Sequence, residues 1–185
     1  MNILKKSLLT LLVAVIPVLA SGQEKKGSLL KQTLEIAEVE INDGQEYLCV
    51  FDMPDGDQHN YYLSVGTLGI GSDIIQFQVD PAFQLFIPLG STLEAAQAKL
   101  EEFRDLAKEP AKTQIETVGT LALGNPSTGT LEPVYVTSHR FLTQKIAEFS
   151  VKRNGSVRAT HIARSNLSSL VGSVKIYRKI HPKEK

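Results

Sequence analysis

The sequence contains no tryptophan and only one cysteine, Cys49, in 185 residues. A single cysteine excludes an internal disulfide bond, so the stability of the fold must come from its core. Cys49 shares an alternating pattern with Tyr47 and Phe51, which predicts a buried structural thiol without a catalytic role. The lack of tryptophan weakens the case for a sugar-binding site built on exposed aromatic rings.

The sequence has no net charge, because 20 basic residues balance 20 acidic ones. The charges are unevenly distributed, since the chain from His139 onward contains 11 lysines and arginines but only two acidic residues. This asymmetry indicates either a surface for an anionic partner or basic C-terminal strands that pair with acidic N-terminal strands. We favour strand pairing, because it requires no partner. Aromatic residues do not alternate with the basic ones, so nucleic acid is not an expected partner.

The first 20 residues have the pattern of a secretory signal peptide. Lys5 and Lys6 precede the apolar run LLTLLVAVIPVLA, and Val18 and Ala20 are the small residues of a cleavage site. Cleavage after Gly22 satisfies the same rule. The apolar run is shorter than the about 20 residues that span a bilayer, so no membrane-spanning segment is expected. We therefore predict an exported protein, either periplasmic or secreted, from which residues 1–20 or 1–22 are removed.

The rest of the chain is long enough for one domain with a sizeable core. We expect a flexible N-terminal segment over 21–30 and a single β-rich domain over 31–182. Ten segments rich in Val, Ile, Tyr and Phe are joined mostly by short links, which favours antiparallel neighbours. The pattern predicts an α+β fold, mainly antiparallel β, with about ten strands in two sheets or a flattened barrel.

One amphipathic helix is predicted over about 91–108. Ser91 and Glu94 have the spacing of a Ser-x-x-Glu capping box, and Pro110 ends the pattern. Apolar residues recur at every third or fourth position, which predicts that one face of the helix packs on a sheet.

The C-terminal sequence RSNLSSLVGSVKIYRKI predicts a short helical turn followed by a last strand. Ser165 or Asn166 would cap the turn. Val174, Ile176 and Ile180 would then lie on one face of the strand, with basic residues on the other.

A β-hairpin is predicted around Asn154 and Gly155, and its register decides which side chains share a face. A three-residue loop over 153–155, with the glycine in a bulge, sorts apolar from polar residues more cleanly than a two-residue loop. We therefore predict the bulged hairpin, with His161 pointing inward and Arg158 pointing outward.

The stretch FDMPDGDQHNYY contains three candidate metal ligands, Asp52, Asp55 and Asp57. Their spacing fails the EF-hand pattern and no bidentate glutamate follows at the required distance, so they are weak candidates. The Pro-Asp-Gly tripeptide is typical of a turn, and we expect a hairpin with no metal and no cofactor. Tyr61 and Tyr62 leave the turn as neighbours, so one of them is expected to face outward and to contact a ligand.

No catalytic arrangement is recognisable in the sequence, and we predict no catalytic residue. The leading hypothesis is a non-enzymatic binding or structural module of the bacterial envelope. Its partner would be an envelope protein or an anionic glycan, held by a basic C-terminal sheet face made of Arg158, Arg164, Lys175 and Lys179. The alternatives are a hydrolase with a pocket around His161 or His139, and a small-ligand carrier with a cavity inside a barrel.

Overall fold

The computed structural model describes residues 34–41, 46–67, 69–70, 84–122, 125–153 and 155–182. The predicted signal peptide, the segment over 21–30 and the predicted strand SDIIQFQV lie outside these residues. No helix in the described ranges is long and apolar enough to cross a membrane.

The described residues form nine β-strands and two α-helices. The strands are β1 (Leu34–Ile41), β2 (Glu46–Asp52), β3 (Tyr61–Thr67), β4 (Gly69–Ile70), β5 (Gln84–Gly90), β6 (Gln114–Ala122), β7 (Leu131–Phe141), β8 (Gln144–Arg153) and β9 (Ser156–Ala163). The helices are α1 (Leu93–Leu106), between β5 and β6, and α2 (Arg164–Ile180), after β9. The predicted α+β class and its antiparallel character are confirmed.

All nine described strands belong to one antiparallel sheet, in the order β1-β2-β3-β5-β6-β7-β8-β9-β4. β4 follows β3 after a single residue, yet it pairs with β9 at the far end of the order. The sheet therefore curls until β9 meets the continuation of β3. The expected ten strands in two sheets or a flattened barrel are not matched exactly, because the twist of one sheet brings its distant strands together.

Both helices pack on the same face of the sheet, which we call the inner face. The core joins strand residues to an apolar stripe from each helix: Leu93, Ala96, Leu100 and Phe103 from α1, and Leu167, Leu170, Val171 and Val174 from α2. The rings of Phe103 and Phe149 meet edge to face, with centroids 5.2 Å apart. Burial of each large apolar side chain contributes about 1.5–3 kcal/mol, so these contacts hold the helices to the sheet.

The predicted amphipathic helix exists, but its cap lies one residue later than expected. Thr92 is the N-cap, and its hydroxyl accepts a hydrogen bond from the backbone N–H of Ala95 at 3.1 Å. The capping box predicted from Ser91 is therefore wrong, because Glu94 falls in the first turn at a position that cannot reach back to the cap. Glu94 instead pairs with Arg178 of α2.

The C-terminal segment is one helix of 17 residues, not a turn followed by a strand. Its N-cap is Ala163, so neither Ser165 nor Asn166 has the predicted capping role. Ile176 and Ile180, which were expected to line one face of a strand, are exposed. The residues that α2 buries recur at intervals of three and four along the helix, which is the period that packing against α1 and the sheet requires.

The predicted bulged hairpin between β8 and β9 is also wrong. Arg153 pairs with Ser156, so the loop has two residues, and Glu148 pairs with His161. His161 therefore lies on the outer face of the sheet, while Arg158 lies on the side of the inner face. Asn-Gly is the pair most favoured in a two-residue hairpin loop. This local preference outweighs the separation of apolar from polar residues onto different faces, because the inner face is only half-buried near the end of the hairpin.

Candidate functional site

An open groove with a volume of about 390 Å³ lies between α1 and the C-terminal part of α2. Its lining consists of four polar or charged residues and one proline: Gln97, Lys175, Arg178, Lys179 and Pro182. Lys175 and Lys179 are four residues apart, so they lie on the same face of the helix. The structure thus brings two of the four predicted basic binding residues into one groove.

Arg178 fixes the groove by joining the two helices. Its Nη1 donates a hydrogen bond to Oε1 of Gln97 at 2.6 Å, and its Nη2 is paired with Oε1 of Glu94. Lys175 Nζ lies 2.9 Å from Oε1 of Glu101 on α1. The uneven charge distribution is therefore partly offset between the helices. An ion pair between strands, Arg153 of β8 with Glu132 of β7 at 3.4 Å, is of the kind that the sequence indicated.

The electrostatics of the groove favour an anion. The hydrogen bond from Lys175 lowers the pKa of Glu101 below its usual value, with a further contribution from Gln97. Among the residues that the structure describes, Lys179 has no carboxylate at ion-pair distance. Three cations thus face two carboxylates, and the excess positive charge suits a carboxylate, sulfate or phosphate group.

The other two predicted basic residues lie elsewhere. Arg164 begins α2, eleven residues before Lys175, which corresponds to about 16 Å along a helix. Arg158 lies on β9, opposite Val151. The predicted basic sheet face therefore does not form, because it required a strand where the structure has the C-terminal half of α2.

A cluster of two histidines and one glutamate lies on the outer face of β7, β8 and β9. Glu148 Oε2 lies 2.9 Å from His161 Nε2 and 3.3 Å from His139 Nε2. The two imidazole rings meet edge to face, with centroids 5.9 Å apart. Within the described part of the chain, each ring contacts Glu148 and the other ring. The cluster orients two potential bases, and among the described residues neither imidazole is hydrogen-bonded to a hydroxyl or thiol that could act as a nucleophile.

Asp52 organises the hairpin between β2 and β3. Its side chain is buried, and its Oδ1 accepts a hydrogen bond from the backbone N–H of Asn60 at 3.0 Å. Its Oδ2 lies 2.6 Å from Nδ1 of His59. Both carboxylate oxygens are thus used to hold the start and the end of the hairpin loop together.

The tight turn of this hairpin lies at the end of the Pro-Asp-Gly tripeptide, and its glycine has the expected positive φ. Asp55 forms a bridge with Gln58, so Gly56 and Asp57 are the central residues, and Gly56 has a φ of +59°. Asp55 and Asp57 are exposed, away from the buried Asp52. Across the described ranges, no group of three or more His, Cys, Asp or Glu residues is arranged to hold a metal ion.

The two predicted tyrosines have different environments. Tyr61 is buried in the inner core, whereas Tyr62 is partly exposed on the outer face. Tyr62 stacks on Phe51, with ring centroids 5.7 Å apart, and Phe51 meets Phe86 edge to face at 5.9 Å. Tyr62 is therefore the outward member of the pair, and one of its ring faces is already occupied.

Cys49 has the environment of a structural thiol. Cys49 is half-buried, and burial together with the charges of Glu35 and Glu38 raises the pKa of its thiol to about 12. The thiol is consequently protonated at neutral pH, which makes it a poor nucleophile.

The sequence did not single out Arg178 or Gln97 as site residues. The available signal was the spacing of Lys175, Arg178 and Lys179, which places three cations on adjacent positions of a helix but on both faces of a strand.

No protein-family model, curated protein or solved structure matches this chain.

Proposed function

We propose that this protein is an exported, non-enzymatic binding module of the bacterial envelope that takes an anionic group of its ligand in the groove between α1 and α2. The observation that carries the proposal is the convergence of Lys175, Arg178 and Lys179 on one groove. Arg178 is already held by Gln97 and Glu94, so binding does not require it to lose further conformational freedom.

An anionic glycan suits this groove better than a large protein surface. The volume of about 390 Å³ lies near the lower end of the range of about 300–1,000 Å³ that is typical of small-ligand sites. A sugar ring bearing a carboxylate or sulfate fits within this volume. Its anionic group would pair with Lys179, and its hydroxyl groups would hydrogen-bond to Gln97.

The two alternative functions have less support. The histidines expected in a hydrolase pocket, His139 and His161, belong to the outer-face cluster and do not line the groove. For a small-ligand carrier, the cavity would lie on the inner face, and that face is packed with the apolar stripes of α1 and α2. Binding in the groove, by contrast, requires only residues that the fold already brings together.

The proposal is tested by isothermal titration of the protein with an oligosaccharide of uronic acids at low ionic strength. We expect saturable binding that weakens as salt is added, because the contact is electrostatic. Lys179→Glu should weaken binding at least fivefold, since it replaces a cation of the groove with an anion. Lys152→Glu is the matched control, because it makes the same charge change at an exposed site on β8.

If Lys179→Glu and Lys152→Glu lose affinity equally, binding depends only on the net charge of the protein. That result would contradict specific binding in the groove. Absence of binding to uronic-acid and sulfated oligosaccharides alike would also contradict the proposal. Release of reducing sugar from these ligands during the titration would contradict the non-enzymatic part of it.

A further inference from the structure

The tip of the β7–β8 hairpin exposes two large apolar side chains next to each other. Phe141 is 63% exposed and Leu142 is 88% exposed. Phe141 pairs with Gln144, so Leu142 and Thr143 form a two-residue loop. Leu142 has a φ of +54°, in the left-handed region that glycine or asparagine usually occupies at hairpin loops. The fold gains little from a leucine at this position, which indicates that its exposed side chain serves another purpose.

Two cations flank this apolar tip. Arg140 and Lys145 are exposed and lie directly opposite each other in the pairing of β7 with β8. Like charges at directly opposite positions of a sheet destabilise the pair. An external anion that lies against both side chains would remove this repulsion.

Further positive charge lies at the same end of the sheet. The backbone N–H of Lys112 donates a hydrogen bond to the carbonyl of Ser138 at 2.8 Å, and the Lys112 side chain is exposed. Arg164 follows the β9 residue that pairs with Ile146, next to the base of the hairpin. Glu109 is the acidic residue of the loop that carries Lys112. With Arg140 and Lys145, four cations lie at this end of the sheet, where Glu109 and Glu148 are the neighbouring acids.

We propose that the β7–β8 hairpin tip docks on a membrane surface that bears anionic lipids. Phe141 and Leu142 enter the boundary between headgroups and acyl chains, while Arg140 and Lys145 lie against lipid phosphates. Arginine and lysine suit this position because their apolar stems can follow the inserted side chains while their charged ends stay at the headgroups.

The size of the apolar tip favours a membrane over a protein partner. A stable protein interface buries about 800 Å² on each partner, whereas two side chains at a two-residue loop offer a small fraction of that area. A bilayer needs only that these side chains enter its interface, and the flanking cations supply the electrostatic attraction. The tip is also separate from the groove, since Arg164 and Lys175 are about 16 Å apart along α2.

The experiment measures co-sedimentation of the full chain, as its host processes it, with vesicles of phosphatidylethanolamine and phosphatidylglycerol. Mass spectrometry establishes that all variants have the same N-terminus. We expect the wild-type protein to bind these vesicles, to bind vesicles of phosphatidylcholine at least fivefold less, and to dissociate as salt is raised. Phe141→Ser combined with Leu142→Asn should reduce binding at least fivefold.

Two controls keep the result specific. Leu131→Asn removes another exposed leucine away from the tip and should leave vesicle binding unchanged. Lys179→Glu, which should impair the groove, should also leave it unchanged, so failure of the proposed function and failure of membrane docking are distinguishable. Thermal unfolding of each variant verifies that it is folded, and Leu142→Asn is not expected to lower stability because asparagine tolerates a positive φ.

The proposal is overturned if wild-type protein does not bind the anionic vesicles, or if the tip variant binds them as the wild type does. It is also overturned if sedimentation shows a dimer that the tip variant abolishes while vesicle binding persists. That outcome would assign the tip to contact between two copies of this chain.

Discussion

Glu148 lies directly opposite His161 in the pairing of β8 with β9, and its Oε2 is 2.9 Å from Nε2 of His161. This contact exists only in the register set by a two-residue loop. A shift of one residue would move His161 to the inner face and bring Thr160 opposite Glu148. The contact therefore reports the register of the whole hairpin.

Disulfide crosslinking tests this register. In a Cys49→Ser background, Glu148→Cys combined with His161→Cys should form a disulfide on mild oxidation, because side chains directly opposite in a sheet have Cβ atoms about 4.5–5.5 Å apart. Glu148→Cys combined with Thr160→Cys should stay reduced, since these residues point to opposite faces. Mass spectrometry after alkylation measures both products. Crosslinking of the second pair alone would show that the bulged register is correct.

The elements that the sequence predicted well are those whose pattern has one interpretation. The stripe of α1, with Leu93, Leu100 and Phe103 at helical spacing, defined a helix that the structure contains. The sequence of α2 has two interpretations, because Val174 and Ile176 alternate as in a strand while Leu167, Leu170 and Val174 follow a helical period. Contacts of α2 with α1 and the sheet decide between them, and these contacts are not visible in a single sequence.

The candidate site was only half predictable for the same reason. The charge of Lys175 and Lys179 identifies them in the sequence, but the groove depends on α2 being a helix that lies against α1. Once the helix is known, Arg178 and its partner Gln97 follow from proximity. A site built between two elements requires knowledge of both, and the sequence pattern predicts the second of them, α2, wrongly.

The left-handed conformation of Leu142 predicts that a polar replacement stabilises the protein. Leu142→Asn should raise the free energy of unfolding by about 1 kcal/mol, because a positive φ costs an ordinary L-residue about 1–2 kcal/mol and asparagine tolerates it better. The melting temperature should rise by about 2–4 °C in thermal unfolding. Leu131→Asn is the control, since Leu131 is exposed at the start of β7 without a positive φ, and it should bring no gain. Equal effects of the two substitutions would show that exposure, not backbone conformation, is responsible.

Two glycine substitutions should change stability in opposite directions. A Cβ atom at Gly129 would lie 2.2 Å from Cγ2 of Thr120 and 2.7 Å from the carbonyl oxygen of Leu121. Gly129→Ala should therefore lower the free energy of unfolding by about 1–3 kcal/mol. Gly172 lies within α2 with open space around it, so Gly172→Ala should raise stability by about 0.5–1 kcal/mol through its helix propensity. Urea unfolding measures both values, and a loss of stability in Gly172→Ala would show that α2 does not tolerate a side chain there.

Export is tested by the mass of the protein after expression in a bacterial host. If residues 1–20 act as a signal peptide, the intact mass should correspond to a chain that begins at Ser21, or at Gln23 after the alternative cleavage. Replacing Leu11 and Leu12 with arginine should keep the full-length chain in the cytoplasm, because the apolar core of the leader is interrupted. Recovery of an unprocessed chain from the periplasm would contradict this assignment.

The raised pKa of Cys49 predicts how stability depends on pH at alkaline values. The pKa of the thiol rises from 9.0 in its ordinary environment to about 12 in the folded protein. Between these two values the unfolded chain releases the thiol proton while the folded chain keeps it, so the unfolded state is favoured as pH rises. Urea unfolding should therefore show that wild-type stability falls more steeply than that of Cys49→Ala from about pH 9 upward. Parallel curves for the two proteins would contradict the raised pKa.

At pH 8 the same burial should make alkylation of Cys49 more than about 100-fold slower in the folded protein than in urea, because the thiolate is the reactive species.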